Sequence, residues 1–262
     1  MRLTVEGTEI FAATGGRDFD PALPGVLLVH GAGMDHSVWA LQSRYLAHRG
    51  RAVLAVDLPG HGRSEGEALT SVQALGDWLI ALLDAAGLQQ AGLAGHSMGA
   101  LACLSAAARH AERVRVLALL GVASRMPVHP DLLALAAADD HKAFELIDDW
   151  AHGPQAHLGG HPLAGTWLLG SGERLLERAR PGVLHSDLAA CNAYAEGADE
   201  AARIRCPTRL ILGADDKMTP AKAGAKLAQL IPEADAVVIP DCGHMMMTER
   251  PEATLDALRA VV

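Results

Sequence analysis

Hydrophobic positions along the chain fall into short apolar runs that alternate with longer segments of helical spacing. The runs Val26–Val29 and Ala52–Val56 contain apolar residues throughout, which is typical of strands buried on both faces. Apolar residues at helical spacing predict helices over about Ser37–His48 and Ser71–Ala86. Strands that alternate with helices of this length predict an α/β protein with a doubly wound, mostly parallel sheet.

Further segments extend the same sheet in both directions. Leu3–Val5 and Ile10–Ala13 alternate around a turn and predict an antiparallel hairpin at a sheet edge. Val114–Leu120, Arg209–Ala214 and Ala236–Ile239 predict three later strands. Ligand sites of doubly wound sheets lie beyond the carboxyl ends of the strands, so we expect the functional loops at that edge.

The alternation of strands and helices stops between residues 124 and 202. This stretch has a helical composition and contains no convincing strand. Because it leaves the sheet just after a strand ends, we expect it to fold back over the site as a helical cap. The predicted organisation is therefore a core of residues 1–123 and 203–262 with a cap insertion of residues 124–202.

The stretch from Ala91 to Ala102 carries the strongest chemical signal. An apolar run passes through Gly95-His96-Ser97-Met98-Gly99 into an Ala- and Leu-rich segment, which predicts a strand, a tight turn and a helix with Ser97 at the apex. A serine hydroxyl is a weak nucleophile that needs a nearby base and oxyanion donors. A helix-capping serine in a glycine-rich turn is the alternative interpretation.

Charge and composition exclude several classes of function. The chain has 262 residues, a formal net charge of −9 and 3% aromatic residues. A nucleic-acid partner is not expected, because phosphate binding needs a basic face and base stacking needs aromatic side chains. We find no signal sequence and no apolar run long enough to span a membrane, so we expect a cytoplasmic protein without a membrane partner.

Five motifs resemble those of the α/β-hydrolase-fold enzymes, in the order that this family shows. They are His30-Gly31-Ala32-Gly33, the loop Asp57–Ser64, Gly95–Gly99, Gly213–Pro220 and Gly243-His244. The resemblance covers essentially the whole chain. It implies a cofactor-independent hydrolase with Ser97 as nucleophile, Asp216 as the acid of a catalytic triad and His244 as its base.

The resemblance also assigns the groups around this triad. Asp216 matches the family position in Gly213–Pro220, and Asp215 on the same loop is the rival carboxylate. The backbone N–H groups of Ala32 and Met98 are the expected oxyanion hole. Seven further residues are candidates for substrate contact: His30, Gly31, Gly33, His96, Trp150, Trp167 and Met245. Asp57 is expected to organise its own loop, and His30 is also a candidate loop organiser.

These features favour a serine esterase that cleaves carboxylic esters of small to medium apolar acyl groups. No cofactor or metal is expected, since the spacing of the cap histidines His152, His157 and His161 matches no familiar ligand pattern. Several alternatives stay open: a lactone or thioester hydrolase, a perhydrolase, a carbon–carbon bond hydrolase of the meta-cleavage type, or a small-molecule receptor with a vestigial triad. The expected partner is a small-molecule ester, and the oligomeric state is not predicted.

Overall fold

A computed structural model of the chain describes residues 1–161 and 165–262. Its strands are β1 (Arg2–Val5), β2 (Thr8–Ala13), β3 (Gly25–Val29), β4 (Ala52–Val56), β5 (Ala91–His96), β6 (Val114–Leu120), β7 (Thr208–Gly213) and β8 (Ala234–Ile239). They form one sheet in the order β1-β2-β4-β3-β5-β6-β7-β8. The β1–β2 hairpin pairs antiparallel at one edge, and all neighbours from β4 to β8 pair in parallel, as predicted.

Helices connect and cover these strands. They are α1 (Ala40–Ala47), α2 (Val72–Ala85), α3 (Met98–Arg109), α4 (Pro130–Ala137), α5 (Lys142–Ala151), α6 (Pro154–His157), α7 (Leu168–Leu176), α8 (Val183–Ala193), α9 (Gly197–Ala201), α10 (Ala221–Ala228), α11 (Met246–Glu249) and α12 (Pro251–Arg259). The predicted helix before β4 is divided into a 3₁₀ turn, His36–Trp39, and α1. No helix in the described ranges has both the length and the apolarity needed to cross a bilayer.

The central strands β3, β4 and β5 are buried on both faces, which explains why their residues are almost all apolar. Leu27 and Val29 face a core cluster shared with helices α2 and α3, whereas Val26 and Leu28 face a second cluster that includes side chains of α1, α12 and the cap. Successive side chains of a strand point to opposite faces, so a strand covered on both sides needs apolar residues at every position.

In its described residues, the segment predicted to form a cap consists of helices and their connecting loops. Between residues 124 and 202 the described parts contain α4 to α9 and no strand. Helix α4 packs against both α5 and α8, while α9 packs on α3 of the sheet domain. The boundaries at 124 and 202 stay a prediction.

Candidate active site

Loops that follow the parallel strands bring the predicted residues to one edge of the sheet. His30 follows β3, Ser97 follows β5, Asp216 lies in the loop after β7 and His244 in the loop after β8. Ser97 and His244 line the same cavity. The carboxyl edge of the sheet is therefore where the chemistry-bearing side chains meet.

Ser97 occupies a strained turn between β5 and α3. Its backbone has φ 53° and ψ −117°, values that a residue with a side chain rarely adopts. The flanking glycines permit the turn, because a Cβ on Gly95 would collide with the Gly99 carbonyl and a Cβ on Gly99 with the carbonyl of His30. This geometry lifts the serine to the apex between strand and helix.

His244 and Asp216 form a buried pair at this edge. The Nδ1–H of His244 donates to Oδ2 of Asp216 at 2.8 Å. Asp216 also accepts the backbone N–H groups of Met218 and Thr219 and the hydroxyl of Thr219, at 2.7–2.9 Å. Burial alone would raise the pKa of Asp216, but the interaction with His244 and the hydrogen bonds from Thr219 lower it below its usual value. Asp216 is therefore a stable carboxylate.

Proton transfer from a serine to a histidine requires a hydroxyl and a ring nitrogen that no other group occupies. Among the described residues, neither the Ser97 hydroxyl nor Nε2 of His244 makes a hydrogen bond. Catalytic hydrogen bonds often tighten when substrate binds, so this geometry is compatible with a serine–histidine relay. Asp215, the rival carboxylate, is half-buried and is joined to the site by its backbone, whose N–H donates to the Cys242 carbonyl at 2.8 Å.

The two predicted oxyanion donors belong to the loop after β3 and to the start of α3. Met98 is the first residue of α3, and Ala32 is in the loop after β3 and lines the cavity. In residues 1–161 and 165–262 neither N–H donates to another protein group. Gly31 holds the loop close to the serine, because a Cβ there would lie 3.2 Å from the Cβ of Ser97. Unpaired N–H groups beside a serine are the feature that an oxyanion hole requires.

His96 and His30 are fully buried and support the loops from behind. Nε2–H of His96 donates to the backbone carbonyl of His244 at 3.0 Å. Nδ1–H of His30 donates to the Gly31 carbonyl at 2.8 Å, and its Nε2 accepts the N–H of Leu58 at 3.1 Å. Burial and the neighbouring histidine lower the pKa of His96 to about 3 and the pKa of His30 to about 4. Both rings are therefore neutral.

The cavity beside Ser97 has a volume of about 400 Å³ and a largely apolar wall. Its apolar side chains include Met34, Met126, Leu132, Ile147, Trp150 and Leu188, most of them from the cap. Polar lining comes from His129, Lys217 and Thr219. Lys217 was not among the predicted site residues, although its position directly after Asp216 indicates that it borders the site.

The structure brings few of the candidate substrate-contacting residues to this cavity. Trp150 lies in its wall, whereas the side chain of Trp167 is 70% exposed at the start of α7, outside that wall. Met245 lines smaller cavities next to α7. His30, Gly31, Gly33 and His96 lie behind or beside the cavity, so their position fits loop support rather than substrate contact.

Asp57 and two of the cap histidines make hydrogen bonds or ion pairs with protein groups. The carboxylate of Asp57 accepts the backbone N–H and Nδ1–H of His36 at 2.7 Å, and the N–H of Arg63 at 2.9 Å. Asp57 thus connects its own loop to the loop after β3. His152 pairs with Asp148 at 3.2 Å, and His161 donates to the Thr248 carbonyl at 2.9 Å.

Comparison with known proteins decides the family. The model of the alpha/beta hydrolase family matches residues 26–257. The chain belongs to this family. Several of its relatives are named hydrolases: it is 32% identical to the pimeloyl-(acyl-carrier protein) methyl ester esterase of Aromatoleum aromaticum, over 87% of this chain and 94% of that protein.

A further relative and two similar solved structures have other hydrolase names. The chain is 31% identical to 2-hydroxymuconate semialdehyde hydrolase of Pseudomonas putida, over 94% of this chain and 90% of that one. The enol-lactonase of Burkholderia xenovorans superposes with a TM-score of 0.85 at 26% identity, covering 99% and 98% of the two chains. A thermophilic esterase superposes with a TM-score of 0.80 at 27% identity, covering 99% of this chain and 95% of the other.

Proposed function

We propose that this hydrolase cleaves carboxylic esters of small to medium apolar acyl groups through Ser97, His244 and Asp216. The observation that carries the proposal is the Asp216–His244 hydrogen bond at 2.8 Å beside a strained Ser97, with Ser97 and His244 in the wall of one cavity. The similarity to two named esterases supports the ester assignment. The cavity of about 400 Å³, with its apolar wall, supports an acyl group of small to medium size.

In the proposed reaction, Oγ of Ser97 attacks the ester carbonyl carbon while Nε2 of His244 takes the hydroxyl proton. The carbonyl oxygen becomes an oxyanion, which accepts hydrogen bonds from the N–H groups of Ala32 and Met98. Collapse of this intermediate breaks the bond to the alcohol oxygen, which receives the proton from His244. Water then attacks the acyl-enzyme through the same steps and releases the carboxylic acid.

Asp216 orients His244 throughout this cycle. Its hydrogen bond to Nδ1–H fixes the tautomer that leaves Nε2 unprotonated, and its charge stabilises the imidazolium that forms. The lowered pKa of Asp216 keeps it ionised at neutral pH.

Lactone hydrolysis is a second candidate, because the enol-lactonase of Burkholderia xenovorans covers almost the whole fold at 26% identity. A lactone passes through the same acyl-enzyme, with the leaving alcohol still attached to the acyl group. Parallel assays of open esters and lactones with equal acyl length separate the two candidates by the larger kcat/KM.

Steady-state hydrolysis of p-nitrophenyl esters from acetyl to decanoyl tests the proposed function. We expect multiple turnovers that Ser97→Ala abolishes. Ser105→Ala is the matched control, because Ser105 is a buried serine on α3 whose hydroxyl has no partner within the described chain. Turnover by Ser97→Ala close to that of the unaltered protein would refute the assignment.

A further inference from the structure

A buried carboxylate of the cap reaches the loop that carries Ala32. Asp187 lies on α8 and is 1% exposed. Its Oδ2 accepts the backbone N–H of Gly33 at 2.8 Å and the Nε2–H of His61 at 2.8 Å. The carboxylate of Asp187 therefore joins three segments: the cap, the loop after β3 and the loop after β4.

The ring of His61 is held at both nitrogens. Its Nδ1 lies 2.9 Å from the Pro59 carbonyl, so each nitrogen faces an acceptor, and a doubly protonated ring satisfies both. Burial opposes this charge, but Asp187 and the Pro59 carbonyl outweigh it and raise the pKa of His61. His61 and Asp187 thus form a buried ion pair, and removal of one partner would leave the other uncompensated.

The Gly33 N–H is the group through which Asp187 acts on the loop. Met34 N–H donates to the Gly31 carbonyl at 3.3 Å, and Gly33 has φ +67°, the arrangement of a type II turn over residues 31–34. Types I and II differ in the orientation of the central peptide, here Ala32–Gly33. A hydrogen bond from that peptide to Asp187 therefore fixes the turn type of the segment that presents Ala32.

The cap also packs directly on this turn. A Cβ on Gly33 would lie 3.0 Å from the Leu184 side chain and 3.2 Å from that of Leu176. Leu184 and Asp187 are one turn apart on α8, and Leu188 of the same helix lines the cavity beside Ser97. One helix thus contacts both the turn and the space for the substrate.

We propose that Asp187, held by its ion pair with His61, is a positioning residue that sets the oxyanion loop from the cap. The inference rests on the proposed ester hydrolysis by Ser97. In this arrangement the N–H of Ala32 is aimed at the oxyanion when α8 is docked with Asp187 against Gly33. A donor used in the transition state affects kcat, and a small displacement of such a group costs up to about 100-fold.

Asp187→Ala tests this proposal against a matched variant, Asp148→Ala. Asp148 is also a buried cap carboxylate paired with a buried histidine, His152, at 3.2 Å, but this pair lies within the cap. We expect Asp187→Ala to lower kcat for p-nitrophenyl esters about 10- to 100-fold with KM nearly unchanged. Affinity for an alkyl trifluoromethyl ketone, which forms an oxyanion on Ser97, should fall by the same factor as kcat/KM. Asp148→Ala should leave both quantities near those of the unaltered protein.

Amide hydrogen exchange at Gly33 is a second readout, and it does not depend on catalysis. Asp187→Asn keeps the size of the side chain, and amide hydrogen exchange at Gly33 reports the hydrogen bond directly. We expect faster exchange at Gly33 in Asp187→Ala than in Asp187→Asn, with no change in Asp148→Ala. Unchanged kcat and unchanged exchange in Asp187→Ala would overturn the proposal, and so would equal losses in Asp187→Ala and Asp148→Ala. If Ser97→Ala retained turnover, the proposed function would fail and the exchange at Gly33 alone would decide the inference.

Discussion

His244 and His61 have closely similar surroundings, but we propose different roles for them. Each donates to one buried carboxylate at 2.8 Å, His244 to Asp216 and His61 to Asp187. Each ring also lies beside a second, neutral histidine at an interplanar angle of 53°, with centroids 4.6 Å apart for His244 and 4.9 Å for His61.

The two histidines differ at the remaining ring nitrogen. Nδ1 of His61 faces the Pro59 carbonyl, whereas Nε2 of His244 has no partner in the described residues and its ring lines the cavity. A base needs a free lone pair, and a structural cation needs both donors satisfied. The second nitrogen thus separates a proposed general base from a fixed ion pair.

Exchanging each carboxylate for its amide gives the largest expected difference. Asp216→Asn should lower kcat by about 10⁴-fold, because the amide no longer fixes the productive tautomer of His244. Asp187→Asn should lower kcat by no more than about tenfold, since the amide oxygen still accepts the Gly33 N–H. Steady-state kinetics on one ester measure both, with Asp215→Asn as the control close to the unaltered protein. Equal losses for Asp216 and Asp187 would remove the distinction between the pairs.

Removing each histidine should affect stability in the opposite order: the His61 pair should matter more for the free energy of unfolding than the His244 pair. His61→Ala should lower the free energy of unfolding by about 3 kcal/mol, because Asp187 is left buried without its cation. His244→Ala should cost about 1 kcal/mol, because Asp216 keeps three other donors. Urea unfolding measures both values. A double variant, His61→Leu with Asp187→Leu, should recover part of the loss, and no recovery would argue against an ion pair.

Because His96 and His30 are buried as neutral rings, we expect the free energy of unfolding to decrease in acid. His96 and His30 bind no proton in the folded state until about pH 3 and 4, whereas the unfolded chain binds protons below about pH 6.5. The unfolded state therefore gains protons first, and the free energy of unfolding should decrease by about 1 kcal/mol per pH unit for each histidine between pH 6 and 4. His96→Gln keeps a donor for the His244 carbonyl and should remove one of these contributions, as followed by urea unfolding across this range. The same slope in the variant would contradict the prediction.

The smallest effect separates two tryptophans of the cap. Trp150→Ala should shift the preferred acyl length of p-nitrophenyl esters upward by a few carbons, because it enlarges the cavity wall. Trp167→Ala should leave the chain-length profile unchanged, since this side chain is 70% exposed outside that wall. A shifted profile in Trp167→Ala alone would contradict the cavity assignment.

The sequence pattern correctly predicted the strands and turns that depend on residues close together in the chain. The strands β4 and β6 begin and end where their apolar runs do, and the alternating pattern of the first residues predicted the edge hairpin. The turn at Ser97 was predictable because Gly95 and Gly99 leave space that no other residue would.

Contacts between distant segments were not predictable in this way. The bond between His61 and Asp187 spans 126 residues, and neither a spacing nor a composition signal links the two. The direction of the Trp167 side chain depends on how α7 packs, which the apolar pattern of the cap does not determine. The burial of His30 and His96 likewise follows from the approach of loops after β3, β4 and β8, so a pattern along one segment could not show that they support the site from behind.

The double hydrogen bond at Oδ2 of Asp187 has a consequence for building chimeric enzymes. Exchanging the cap with that of another hydrolase changes more than the acyl-binding wall, because the incoming helix also inherits contact with the turn at Gly33. If the grafted cap has no hydrogen-bond acceptor at position 187, the charged ring of His61 in the recipient is buried without its partner. When a cap is exchanged, the residues at positions 61 and 187 therefore have to be transferred together.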